Sequence, residues 1–262
     1  MKKISILMFA VAFQAVLFAG PTLDLSADGA SGSIDGAYFR QTAAQSTGTG
    51  SIHAFVRMED DNDKDAIEQG YNTDHRPLNK GAQYDENYSP TFTRSLLLSL
   101  VPTMNINGIL YREFLLDINE SNSGTESELS LDNIKIYLAH SGDLFGKLPP
   151  SNPETGEVAT LIYDLDKASD NWIKLDYSLN TGSGSGDMFA YIPDSLFKTE
   201  NGSYVYFYSM FGENIAADSG FEEWAVRLNV PVPPVAVPAP GALMLAAMGM
   251  SLVGYLRRGR SL

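Results

Sequence analysis

Between about residue 30 and residue 229 the apolar residues come in about ten short runs, separated by Gly, Asn, Asp and Pro, with almost no 3.6-residue periodicity. Short runs with turn residues between them leave little room for helix packing and point to strands. Two runs are especially informative. Asn107-Gly108 separates Met104/Ile106 from Ile109–Leu116, and Asn-Gly between apolar runs is the strongest short-range hairpin signal. The segment 129–138 (LSLDNIKIYL) alternates with one change of phase, which predicts a bulge. Further strands are expected over 33–40, 52–57, 94–101, 160–165, 172–179, 187–192, 203–211 and 221–229, with one helical turn near 194–197. Residues 59–90 read as a long polar loop, as does 141–159 with Pro149, Pro150 and Pro153. The expected fold is all-β, an antiparallel β-sandwich or jelly roll over residues 20–230 as a single domain.

The chain has no cysteine, so no disulfide supports this body and a buried core must. Charge is partitioned: all 32 acidic residues lie in the body, whereas five of the 18 basic residues lie in the two ends. A body this acidic repels phosphate backbones, which argues against a nucleic-acid partner.

Both ends are apolar. Lys2 and Lys3 precede an apolar stretch from Ile4 to Phe18 and then Ala19-Gly20, the three regions of a secretory signal peptide. This predicts a signal helix over 1–19, use of the Sec translocon, and signal-peptidase cleavage after Ala19. At the other end a proline-rich spacer, 231–240, leads to Gly241–Leu256, apolar or glycine except for Ser251. Sixteen residues make a helix of roughly 24 Å, short of a usual span, so flanking residues must help it cross a bilayer. Arg257, Arg258 and Arg260 form the membrane stop and place the C-terminus in the cytoplasm.

The order Val237-Pro238-Ala239-Pro240, short apolar helix, arginine cluster, chain end resembles the PEP-CTERM sorting tail of Gram-negative bacteria. It covers residues 237–262, with Ala239 where the family usually has Glu. The resemblance implies exosortase as partner, anchoring in the inner membrane, removal of the tail, and delivery to the cell surface or extracellular matrix. It also implies a structural or adhesive role linked to exopolysaccharide or biofilm. The body is similar to other PEP-CTERM proteins around 111–120, 187–189 and 221–226, a likeness that carries no ligand with it.

Three constellations in the body could carry chemistry. Asp117, Asn119 and Ser121, followed by Glu128 and Asp132, offer oxygens suited to a calcium ion at a strand end, against ordinary turn roles for the same residues. Tyr204, Tyr206 and Tyr208 share one face of a strand and could stack on sugar rings as in a carbohydrate-binding module, against a packing role. Asp61, Asp63 and Asp65 alternate as at the start of a calcium loop, but Ala66 replaces its turn glycine and Asn72 its bidentate glutamate. The sequence carries no HExxH, GxSxG or phosphate-loop pattern. No catalytic residue is assigned. A polysaccharide hydrolase would need a facing carboxylate pair, and Glu222 and Glu223 point to opposite faces if they lie in a strand. Trp172 and Trp224 read as core.

Overall fold

The computed structural model describes residues 22–42, 52–59, 67–77, 84–122, 124–182, 184, 186–217 and 219–227. The expected signal segment 1–19, the expected spacer 231–240 and sorting tail 237–262, and Asp61, Asp63 and Asp65 lie outside them. Among the described residues no helix is long and apolar enough to cross a membrane.

Sixteen strands are described. They are β1 (Leu23–Asp24), β2 (Ser31–Ile34), β3 (Ala37–Gln41), β4 (Ile52–Met58), β5 (Glu68–Tyr71), β6 (Leu96–Leu97), β7 (Thr103–Ile106) and β8 (Ile109–Ile118). Then come β9 (Glu128–Ala139), β10 (Ser151–Asn152), β11 (Glu157–Val158), β12 (Thr160–Asp164), β13 (Ile173–Asp176), β14 (Met188–Pro193), β15 (Tyr204–Phe211) and β16 (Glu222–Arg227). Among the described residues helix is confined to short 3-10 turns, one of them at Asp194–Leu196. The described body is all-β and its sheets are antiparallel, apart from the parallel pair β1/β13.

Two seven-stranded sheets carry the body. The first runs β1-β13-β9-β15-β5, with β12 beside β9 and β6 beside β15; the second runs β2-β3-β14-β8-β16-β4, with β7 beside β8. The long strands are central, and each has an edge shared end to end by two shorter ones. On β8, β16 pairs with Leu115–Ile118 and β7 with Ile109–Arg112. Where β5 ends, the buried side chain of Asn72 continues the ladder of β15, donating to the Val205 carbonyl (2.8 Å) and accepting from the Phe207 amide (2.7 Å).

The inner faces meet in one apolar core. Phe207 of β15 packs on Trp224 of β16, Phe114 of β8 and Phe55 of β4, with ring centroids 4.4, 4.9 and 5.9 Å apart. Trp224 also reaches across the layer, its Nε1 donating to Ser209 Oγ on β15 at 2.9 Å. Trp172 is half-buried.

The Asn107-Gly108 turn is present, with both residues at positive φ (51° and 88°), the left-handed pair that a two-residue hairpin needs. The phase change in β9 is also present: the β9–β15 register shifts between Leu131 and Asn133, leaving Asp132 unpaired in the ladder.

Several local expectations differ, among them the loop expected over 141–159, which holds the short antiparallel pair β10/β11. The single strand expected over 33–40 is a hairpin, because Asp35-Gly36 adopts the same positive-φ turn (48° and 84°). The loop expected over 59–90 contains β5, whose Glu-Gln-Gly-Tyr gives no apolar alternation to read. The run 94–101 forms two residues of strand and a 3-10 turn, with Leu97 and Leu100 exposed rather than covered. In β4 the register with β16 shifts around Phe55, so Phe55 and Val56 are both buried in place of strict alternation.

Candidate functional site

The five candidate calcium ligands divide between the two sheets. Asp117 lies at the end of β8 and accepts the Gly184 amide on Oδ2 at 2.6 Å. Asn119 follows β8, and its carbonyl is approached so closely by Gly220 that a Cβ there would lie 2.0 Å from the oxygen. Ser121 donates to Glu126 at 3.0 Å. Glu128, on β9 in the other sheet, pairs with Lys174 of β13 at 2.6 Å. Asp132 sits in the bulge and accepts from Ser130 Oγ (2.7 Å), the Glu213 amide (2.7 Å) and Asn214 Nδ2 (2.8 Å). That carboxylate fastens the 212–215 turn to β9, a role that uses up its oxygens. Glu128 and Asp132 thus each have partners of their own, and among the described residues no group of three or more His, Cys, Asp or Glu is arranged to hold a metal.

The tyrosine row lies on the outer face of the first sheet, but it is covered. Tyr206 and Tyr208 are buried and Tyr204 half-buried, in a second apolar cluster with Tyr71, Tyr137 and Leu144. Segment 141–148 crosses over them: Tyr206 Oη donates to the Ser141 carbonyl (2.9 Å) and accepts the Leu144 amide (2.8 Å). Tyr71 Oη donates to the Gly146 carbonyl (2.8 Å), and Tyr208 Oη to Gln69 (2.8 Å). Burial pushes the Tyr206 and Tyr208 hydroxyls far above their ordinary range. These rings form a small second core rather than an exposed stacking platform.

A set of buried carboxyls, Glu68, Asp117, Glu120, Asp187 and Glu222, is not marked by any sequence motif. Strand register explains their placement. Glu222 is opposite the core residue Ile118, and Glu223 is opposite Asp117 on the outer face. On the other sheet, Glu68 is opposite the core residue Phe211 and so faces the same layer as Glu222. Glu120 follows Ile118 by two residues and accepts the Ser219 amide at 3.1 Å. Asp187 precedes β14, bonded to β8 twice: its amide donates to the Leu116 carbonyl (2.7 Å) and its Oδ2 accepts the Ile118 amide (2.8 Å).

Burial pushes the Asp187 carboxyl up to about 8; the Ile118 hydrogen bond opposes this, and the charges of Asp117 and Asp176 add to it. Glu222 is raised well above its ordinary value, first by complete burial and then by the adjoining Glu68 carboxyl and the charges of Glu120 and Asp117. The alternation Glu222-x-Trp224-x-Val226 does signal that Glu222 shares a face with two core residues. Nothing comparable marks Glu68, whose strand carries no pattern.

No family model, no curated protein and no solved structure matches this chain.

Proposed function

We propose that this chain is an exported protein whose body, an antiparallel β-sandwich, serves a structural or adhesive role at the cell surface or in an extracellular polysaccharide matrix. An N-terminal signal brings it through the Sec route. A C-terminal helix then anchors it in the inner membrane until exosortase removes the tail. The observation that carries this reading is the tail itself, Val237-Pro-Ala-Pro240, the apolar stretch 241–256, and Arg257, Arg258 and Arg260, at the opposite end from Lys2, Lys3 and Ile4–Phe18. A passive role is favoured by how the body spends its aromatic residues, since Tyr206 and Tyr208 are packed inside rather than displayed. A carbohydrate-binding module needs an exposed row of this kind. A polysaccharide hydrolase needs two carboxyls facing each other across an open cleft, and Glu222 and Glu223 lie on opposite faces of β16.

The test is intact mass of the chain recovered from the medium or surface of its native cells, compared with the membrane-bound form. The expected result is loss of residues 1–19 and of a fragment beginning near Pro238. Material that stays in the membrane with the whole tail attached would refute sorting.

A further inference from the structure

Glu222 enters the layer between the sheets by strand alternation, and there it has no ordinary reason to be charged. It is fully buried, and among the described residues neither carboxyl oxygen has a hydrogen-bond partner at normal geometry. Among the described residues, the charged groups that act on it are Glu68 on β5, Glu120 after β8 and Asp117 on β8. On its remaining side β4 presents Met58, with Glu86 bridged to that residue. A carboxylate isolated from water among like charges is costly, whereas a neutral carboxyl in the same place loses only a hydrogen bond. The Glu68 carboxyl, on the facing sheet and adjoining Glu222, can accept one.

We infer that Glu222 is kept as a neutral carboxylic acid that donates its proton to Glu68, so that a carboxyl–carboxylate hydrogen bond clasps the two sheets together. The proton remains on Glu222 and Glu68 accepts it; no bond other than the hydrogen bond forms. One proton thus joins a strand of each sheet at the end of the molecule where β5, β8 and β16 meet.

The pH dependence follows from the direction of the shift. In the unfolded chain Glu222 titrates near about 4.3, and in the folded chain its pKa is raised. The contribution to stability is therefore fully present below about pH 4 and is lost as pH rises through the folded value. Alkali loosens the clasp. Glu222→Gln keeps the shape and a donor for Glu68 but cannot ionise.

Thermal unfolding of the full-length protein and of Glu222→Gln, from about pH 5 to about pH 9, with calcium or with chelator, tests this. The wild type should lose melting temperature toward alkaline pH. Glu222→Gln should fall less steeply and melt several degrees above the wild type at the alkaline end, and calcium should change neither curve. Infrared spectra at neutral pH, taken in the Asp187→Asn background so that the Asp187 carboxyl does not contribute, should contain a protonated-carboxyl band that adding Glu222→Gln removes. Absence of that band before Glu222 is replaced would overturn the inference, and so would a Glu222→Gln variant that melts below the wild type with unchanged pH slope. Calcium raising the wild type but not the variant would replace the proton with a cation.

Discussion

Glu222 and Glu223 are neighbours on β16, and the two faces of the sheet treat them in opposite ways. On the outer face Glu223 and Glu113 each come with an arginine. Glu223 pairs with Arg57 at 2.8 Å, whose guanidinium lies 3.7 Å from the ring centroids of both Phe92 and Phe221. Glu113, further along on β8, takes two 2.5 Å hydrogen bonds from Arg227, which also lies over Phe189. On the inner face Glu222 has Glu68, Glu120 and Asp117 for company. The difference reflects what each face can reach. Long arginine side chains can lie along an outer face with part of their length in water, whereas the inter-sheet layer is filled by Phe, Trp and aliphatic side chains.

The largest expected effect lies on the inner face and is apolar. Trp224 is fully buried between the sheets, with Phe207 4.4 Å away and Ser209 accepting its Nε1–H. Trp224→Ala should cost about 3–5 kcal/mol through lost packing and a cavity. For a domain of this size that corresponds to a fall in melting temperature of roughly 10 °C, measured by calorimetry. A loss under about 1 kcal/mol would mean that the sheets do not depend on this contact.

The outer face should respond next, through its ion pairs. Arg227→Ala leaves Glu113, whose side chain is 1% exposed, without its bidentate partner. Breaking a buried pair costs about 3–5 kcal/mol, and partial exposure of Arg227 reduces this to about 2 kcal/mol. A double-mutant cycle with Glu113→Gln should recover much of the loss. If both variants melt like the wild type, the outer pairing is ornamental and the contrast between faces is overstated.

How much of this could be read in advance depended on whether a local rule acted alone. The 107–108 hairpin and the β9 phase change were legible because turn chemistry and alternation each leave a signature within a few residues. The hairpin at Asp35-Gly36 had an equally good turn pair, but its flanks, Gly-Ser-Ile and Ala-Tyr-Phe, read as one run. Strand β5 left no signature, since Glu68 and Gly70 face inward only because β15 pairs beside them. The same holds for the sites. Tyr204, Tyr206 and Tyr208 do share a face, as alternation says, but only tertiary structure brings segment 141–148 over it. Likewise, Glu128 and Asp132 are near Asp117 in sequence, but only the fold gives Glu128 its lysine and Asp132 the amide of Glu213. The meeting of Glu68 with Glu222, over 150 positions apart in the chain, is purely a product of the fold.

A smaller and more local effect is expected in the outer tyrosine cluster. Tyr206→Phe removes a hydroxyl that donates to Ser141 and accepts from the buried Leu144 amide, at a cost of about 1–2 kcal/mol. If that cluster is a satellite of the main core, the loss should fall on segment 141–148. Hydrogen exchange would then show faster exchange at Leu144 with little change in β8 or β16. Uniformly faster exchange in both sheets would instead make the cluster part of one cooperative core.

A last effect, confined to alkaline pH in its full extent, separates the two acidic environments at the end of β8. Asp187 differs from Glu113 and Glu223, since among the described residues its carboxyl has no arginine partner, and burial moves it up to about 8. Its unfolded value is near about 3.9, so its contribution to stability is present below about pH 4 and disappears as pH rises through about 8. Asp187→Asn retains an acceptor for the Ile118 amide and cannot ionise, so its gain over the wild type should already begin at about pH 5 and grow toward about pH 9. Because Asp187 lies on the outer side of β8 and Glu222 faces the inner layer, their alkaline gains should add when the variants are combined. A combined gain no greater than either alone would mean that both report one shared titration running through Asp117, which adds its charge to each of them.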